Sequence, residues 1–355
     1  MKTVLVQGAG GGGGNNLIRS LRQSSLDLRI LGSNCLPHAV AKSTADQTFR
    51  LPASGEPEYA AALRALIERE NIDLVIPNSD REVAAVSALR EELPCAVFLP
   101  EATVIDICQD KHKLYLRLCE AGTEPAPAVS LEESSSVEAA FAALPASEKY
   151  WVRPRRGSGS RGATWVRTPE QARQWIQLWV DLRSYSVADF QIANFLTGRD
   201  YCFQSVWNRG QLVVAKLCER LSYYGGGNRL SGMSSTPEIA RTLRDDAALE
   251  TIFRAVRSLC TIPHGNFNMD LKGDASGHMR ITEVNIGRFC MITTIFDSTG
   301  KINTAEAYVR CALSEALPYG DPIDIEEGYL LIRELDTEPL VIHESAVEGF
   351  TRPPR

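Results

Sequence analysis

The chain predicts a combined α/β and α+β architecture: a parallel sheet covered by helices, followed by antiparallel hairpins interleaved with helices. Three observations carry that reading. Over the first hundred residues short apolar strands alternate with helical periodicities, the pattern of parallel βα units. Beyond residue 150 the apolar runs follow one another across short turns, which gives antiparallel pairs. At 355 residues the chain also exceeds one ordinary core, so two or three domains are expected.

The first strand spans 2–7 and meets the glycine run Gly8-Ala-Gly10-Gly-Gly-Gly-Gly14. Leu17, Ile18 and Leu21 then mark a helical face. Strands at 29–31, 74–76 and 96–99 and helices at 57–70 and 82–92 complete a domain expected over 1–108. A helix over 110–122, stopped by Gly122, opens a unit expected over 109–190. Pro125 and Pro127 force extended chain, the serines 134–136 start a short helix, and 169–180 is helical. A third unit, 191–318, takes strands at 189–196, 201–207 and 211–217, then a Gly/Ser-rich mobile loop over 222–236. It continues with a long helix over 237–259, strands near 266–271 and 279–285, and a helix over 303–317. An extension, 319–355, offers a terminal β-hairpin from 328–333 and 338–343.

A net charge of −6 speaks against a general nucleic-acid binder, which needs a basic face. Nine cysteines, odd in number and never spaced C-x-x-C, give neither a zinc signature nor a disulfide framework. The opening residues run straight into a strand, and no stretch approaches a membrane-spanning length. The expectation is a cytoplasmic protein.

Two glycine-rich segments invite a ligand. The run Gly8–Gly14 contains the dinucleotide spacing, but the next strand ends Leu31-Gly-Ser-Asn34, without the acid that would hold a ribose. It reads as a tight strand-to-helix turn. The stretch Trp151-Val-Arg153-Pro-Arg-Arg-Gly157-Ser158-Gly159-Ser160-Arg161-Gly162-Ala-Thr-Trp-Val166 reads as a hairpin whose tip presents backbone N–H groups, hydroxyls and positive charge to an anion. A solvated turn would look similar in isolation. Its weight comes from Glu283-Val-Asn285, which ends a strand and projects two oxygen donors to one face, with Asn268 and Asp270 on the preceding strand. An oxygen set of this kind suits Mg²⁺, which completes its shell with water and phosphate.

Taken together these motifs resemble the ATP-grasp superfamily, of the carbamoyl-phosphate-synthetase-like and carboxylate–amine ligase type, and the resemblance covers nearly the whole chain. It implies an ATP-grasp fold with an N-terminal Rossmann-like pre-ATP-grasp domain, and ATP as cofactor with Mg²⁺, or Mn²⁺ in its place. By resemblance Lys111 and Arg153 contact the phosphates, and Gly157, Ser158, Gly159, Ser160, Arg161 and Gly162 close over them. Phe195 and Leu196, in Phe195-Leu-Thr-Gly198-Arg-Asp200, resemble the adenine hinge, and Asp200 the acid on the ribose. Asn268, Glu283 and Asn285 fall at the metal positions, with Asp270 as the alternative to Asn268. Arg288, with Lys216 and Arg220, is expected at the transferred phosphate or acyl phosphate.

The chain departs from the family pattern in places. Arg153 replaces the more frequent lysine, Asn194 stands where an acid often precedes the hinge, and Asn285-Ile-Gly-Arg288 is one residue longer than the usual Asn-Pro-Arg. The implied reaction is ATP-dependent ligation of a small carboxylic acid or amino acid to an amine through an acyl phosphate. Phosphoryl transfer without ligation, and a non-catalytic nucleotide binder, are the alternatives. The expected partners are small-molecule carboxylate and amine substrates, with no nucleic acid and no membrane, and a homodimer is a possible assembly.

Overall fold

The structure, a computed structural model, describes residues 1–234, 236–334 and 340–346. Strands β1 (Lys2–Gln7), β2 (Leu28–Asn34), β3 (Gln47–Arg50), β4 (Leu74–Ile76) and β5 (Ala96–Val97) form a parallel sheet in the order β3-β2-β1-β4-β5. Residues 3–7 of β1 are all buried, as expected of a strand covered on both faces. The glycine run turns β1 into the helix Gly12–Arg22. Gly10 sits at φ +77°, and a Cβ there would lie 1.7 Å from the Ala39 carbonyl oxygen, so no other residue fits.

Strands β6 (Ala128–Ser130), β7 (Tyr150–Pro154), β8 (Thr164–Val166) and β9 (Phe190–Asn194) form a four-stranded antiparallel sheet, ordered β6-β9-β7-β8. The helices Val137–Ala143 and Pro169–Arg183 cover it around Val152, Ala172, Phe190 and Ile192. Strand β9 crosses the boundary expected at 190/191 and keeps Asn194 in this sheet. The 151–166 hairpin is present as β7 paired with β8, Trp151 opposite Trp165.

A second antiparallel sheet contains β10 (Asp200–Asn208), β11 (Gln211–Tyr223), β12 (Pro237–Thr242), β13 (Gly265–Gly273), β14 (Met279–Ile286), β15 (Tyr329–Ile332) and β16 (Leu340–His343). Its order is β14-β13-β10-β11-β12-β15-β16. The long helix expected over 237–259 is corrected here. Pro237–Thr242 is a strand, with Ala240 opposite Arg220 of β11 and Leu331 of β15. The helix starts only at Asp246, where the Asp245 side chain caps the Ala248 N–H at 3.0 Å. The expected terminal helix 303–317 is shorter, Thr304–Ala312, capped by Asn303. In the C-terminal extension β15 and β16 pair antiparallel; residues 335–339 and 347–355 lie outside the described residues.

The parallel sheet and the larger antiparallel sheet share one core. Leu5, Leu31 and Val75 belong to the same buried cluster as Phe203, Phe267 and Met269. The four-stranded sheet has its own core, so it is the part free to move as a unit. No helix among the described residues is long and apolar enough to cross a membrane. Gly10→Ala should destabilise the protein by at least ~2 kcal/mol, through the left-handed backbone and the collision with Ala39 together. Denaturant titration of the variant against the parent measures this directly.

Candidate active site

The two antiparallel sheets face each other across a cavity walled by β7, β9, β10, β13 and β14 and roofed by the 157–162 loop. Each wall is fixed by ordinary strand and helix rules. Asp110 caps the helix Lys111–Glu120, accepting the His112 and Lys113 N–H groups at 3.0 and 3.2 Å. Burial pushes the Asp110 carboxyl up, but the Arg155 guanidinium and the cap N–H groups hold it below the usual carboxylate range. The Lys111 N–H donates to the Arg155 carbonyl at 2.9 Å. Helix start and hairpin root are thereby tied together, and Lys111 and Arg153 enter the cavity from a common joint.

The cations of the cavity are bonded to groups of the protein itself. Lys111 Nζ donates to the Gly157 carbonyl at 2.7 Å and lies 3.5 Å from Glu283 Oε1. Arg153 donates one guanidinium nitrogen to the Thr282 carbonyl at 2.9 Å, while its buried Nε has no partner. Burial pulls its pKa below the ordinary arginine value, opposed by Glu283 and Asp270. Such a donor is held ready for an anion. The roof residues Gly157, Gly159, Ser160 and Gly162 have φ of +108°, +79°, +55° and +71°. Gly157 and Gly159 face open space, and Ser158 and Arg161 complete the loop.

The opposite wall carries the acids. Asp270 and Glu283 are directly paired across β13 and β14, as are Asn268 and Asn285. Burial raises the Asp270 pKa to about 7; Arg220 opposes the rise, while Cys202, Glu283 and Asp200 add to it. Asn285 Nδ2 donates to Asp270 Oδ2 at 3.2 Å, and its Oδ1 accepts from Arg288. Asn268 is fully buried beneath this wall, its amide donating to the Arg288 carbonyl and its Oδ1 unpartnered. Among the described residues no three His, Cys, Asp or Glu side chains converge as a self-sufficient metal cage. Two carboxylates and an amide are a donor set that must be completed by ligand oxygens, as for Mg²⁺ bound with phosphates.

The longer Asn285-Ile-Gly-Arg288 turn still delivers its arginine. Gly287 takes φ +71°, and a Cβ there would come within 2.9 Å of Val83 and 3.0 Å of Leu99. The extra residue is absorbed in this left-handed step, and the chain closes against the first sheet's helix Asp80–Ala88. Arg288 Nε then donates to Asp80 Oδ1 at 2.6 Å. Asn78 Oδ1 accepts the Phe289 N–H at 3.2 Å.

Phe195 and Leu196 follow β9 at the cavity edge, with Lys272 Nζ 5.4 Å from the Phe195 ring centre. Asn194 also borders the cavity, its amide donating to the Pro145 carbonyl at 3.0 Å. Asp200 is in the wall, but its oxygens are already held by Arg220 Nε at 2.7 Å and the Tyr223 hydroxyl at 2.6 Å. Arg220 spans Asp200 and, at 3.1 Å, Asp270. Tyr223 and Lys272 are cavity residues the sequence reading missed; Tyr223 stands at i+3 from Arg220 on a bulged strand, where period-two alternation fails.

Lys216 is a correction. It does not line the cavity but is buried in an ion pair with Asp324 beneath Gly300. The two-residue strand repeat does put Lys216 and Arg220 on one face, yet the Thr293–Thr299 helix and its following turn cover the Lys216 end. Burial lowers the Lys216 pKa, opposed by Asp324. For Asp324, burial acts upward but is outweighed by the Lys216 bond and the Ile302 and Lys301 N–H groups, leaving a net lowering. Lys216→Met should cost ~3 kcal/mol by stranding a buried carboxylate. A depressed carboxyl contributes stability that is full above its unfolded pKa of about 4 and is lost as pH falls through the lower folded value, so the difference between variant and parent should shrink progressively below about pH 4. Urea titrations at pH 7 and pH 3 check both signs, and nucleotide binding by the folded variant should match the parent.

Residues 4–96 match the family described as PylC-like, N-terminal domain. No curated protein matches the chain. Among solved structures it is similar to the L-amino acid ligase from Bacillus licheniformis, with a TM-score of 0.67 at 14% identity over 93% of this chain and 78% of that one. It is also similar to the N5-carboxyaminoimidazole synthetase from Staphylococcus aureus complexed with ADP, at 0.70, 15%, 94% and 82%. For the phosphoribosylglycinamide synthetase from Anaerococcus prevotii the values are 0.62, 15%, 95% and 82%. The sheet orders, the glycine-loop hairpin and these likenesses agree: the chain has the ATP-grasp fold, led by a domain of the PylC-like N-terminal type.

Proposed function

We propose that the protein is an ATP-dependent carboxylate–amine ligase that activates a small carboxylic acid or amino acid as an acyl phosphate and joins it to an amine. The observation that carries this is the convergence of Lys111, Arg153 and Arg288 with Asp270, Glu283 and Asn285 on one cavity beneath a glycine loop. Phosphoryl transfer needs positioning and charge neutralisation rather than a protein nucleophile, and this wall supplies both. The likeness in fold to an L-amino acid ligase supports the choice of reaction class.

In this reading Lys111 exchanges its present partners for phosphate oxygens, the unpartnered Arg153 Nε donates to the same group, and the roof residues 157–162 cover them. Phe195 and Leu196 border the adenine, and Asp200 stands on the ribose side. Asp270, Glu283 and Asn285 would hold Mg²⁺, the all-oxygen donor set being the reason; Asp270 is preferred to Asn268 because it lines the cavity. When bound, the ion would neutralise charge on the phosphates during transfer. Arg288, steadied by Asp80, meets the transferred phosphoryl group on the side of the first domain. Arg220 is assigned to holding Asp200 and Asp270 in place. The roof excludes water, which would otherwise hydrolyse an acyl phosphate.

ADP release should require a carboxylate and an amine together, and hydroxylamine should trap the acyl group as a hydroxamate. ADP formed with a phosphorylated product and no amide would replace ligation by simple phosphoryl transfer, and absence of ATP binding by calorimetry would remove the reading. Glu283→Gln should lower turnover by on the order of 10²–10³-fold while leaving the fold intact. Steady-state ADP release measures this, with the circular dichroism spectrum as control.

A further inference from the structure

Three cysteines of the chain meet at the floor of the cavity. Cys202 on β10 stands opposite Cys218 on β11 and opposite Asp270 on β13. Cys202, Cys218 and Cys290 pack in one buried cluster with Ala240, Ile292 and Phe296. Cys290 follows Arg288 by two residues; its thiol donates to Gln204 Oε1 at 2.8 Å, and Thr293 Oγ1 donates to the same oxygen at 2.8 Å. All three are free thiols. Buried cysteines usually serve only as small apolar residues. Here two of them, Cys202 and Cys290, form part of the cavity wall, whereas Cys218 is sealed behind it.

We propose that Cys202 and Cys290 are an oxidant-responsive modification site, in which hydrogen peroxide entering the nucleotide cavity joins the two thiols. The thiol of Cys202 attacks one peroxide oxygen, the O–O bond breaks, and a first water leaves, giving a sulfenic acid. The Cys290 sulfur then attacks the Cys202 sulfur, the S–OH bond breaks, and a second water leaves as the disulfide forms. Two thiols lose two electrons to one peroxide, so no further reductant or oxidant is needed. The placement dictates the consequence. The new bond ties the centre of β10 to the turn that carries Arg288 and removes the Cys290 bond to Gln204. It therefore draws on the one turn that joins the two halves of the site, and the oxidised protein loses its ligand-binding form until a dithiol restores it. Cys119, which is exposed and does not line this cavity, is the internal comparison.

The full chain is treated with hydrogen peroxide, quenched with an alkylating reagent, and mapped by peptide mass spectrometry. A Cys202–Cys290 linked peptide, reversed by dithiothreitol, is expected. It should persist in Cys218→Ser and disappear in Cys290→Ser. Cys202 and Cys290 both free under conditions that oxidise Cys119, or a Cys202–Cys218 link in place of the expected one, overturns the proposal. This arm needs no nucleotide and so stands apart from the ligase reading. In a second arm Mg-ATP at ten times its dissociation constant, measured by calorimetry, should slow linkage about ten-fold because only the free protein reacts. Unchanged linkage with the nucleotide demonstrably bound would show that the cavity is not the route and would equally overturn it. If calorimetry finds no ATP binding, the function proposed above fails, while peptide mapping still decides the fate of the thiols.

Discussion

The turn from Asn285 to Arg288 is the constraint on which the site depends. It closes against Val83 and Leu99 only because residue 287 lacks a Cβ, and it ends with Arg288 on Asp80. Asn266 and Asn268 hold the Arg288 carbonyl from below, and Asn78 accepts the next N–H. The carboxyl edge of the parallel sheet is thereby fixed to the acidic hairpin of the antiparallel one. Were the two joined only by apolar packing, Arg288 would have no defined position, because apolar contact is not directional. The shared core supplies adhesion, and this turn supplies the register.

Charge organises the remainder. The cavity holds Lys111, Arg153, Arg220 and Arg288 against Asp200, Asp270 and Glu283, with the cations largely satisfied by carboxylates and backbone carbonyls of the same wall. Burying isolated charges would cost far more than the fold can bear, so internal pairing is what lets these charges sit together in one wall. The Arg153 Nε stands outside that pairing. An incoming anion gains a donor there without displacing anything, and then competes with Gly157 and Glu283 for Lys111. Since Gly157 belongs to the roof, filling the cavity and moving the loop are coupled through a single lysine.

Much of this was legible in the sequence, and what was not has identifiable causes. The parallel sheet, the 151–166 hairpin and the Glu283/Asn285 strand follow from period-two alternation and from glycine and proline punctuation, which are local signals. Pro237–Thr242 reads as helix when it is taken together with the helical run that follows it; only pairing with β11 and β15 fixes it as a strand. Lys216 was placed in the site because strand repeat gives the face of a residue but not what covers that face. Asp80, Asn78 and Tyr223 carried no signal of their own: their roles arise from segments some 200 residues apart in two cases and from a bulge in the third. Asp110-Lys111 was legible as a helix start, yet its link to Arg155 was not.

The two sides of the cavity differ in how firmly they are built. The floor consists of long paired strands in the common core, cross-linked by Arg220 between Asp200 and Asp270 and by Tyr223 on Asp200. A carboxylate has about four acceptor positions, so Asp200 can keep these bonds and still receive a hydroxyl from a ligand. The roof belongs to a small sheet with a separate core and ends in a loop with four consecutive or near-consecutive left-handed residues, including Ser160. Open space around Gly157 and Gly159 and a left-handed Ser160 at the tip place the roof at the mobile end of the molecule. The fold therefore divides the work: a rigid floor sets the geometry of the charges, and a movable roof decides when water is excluded from them.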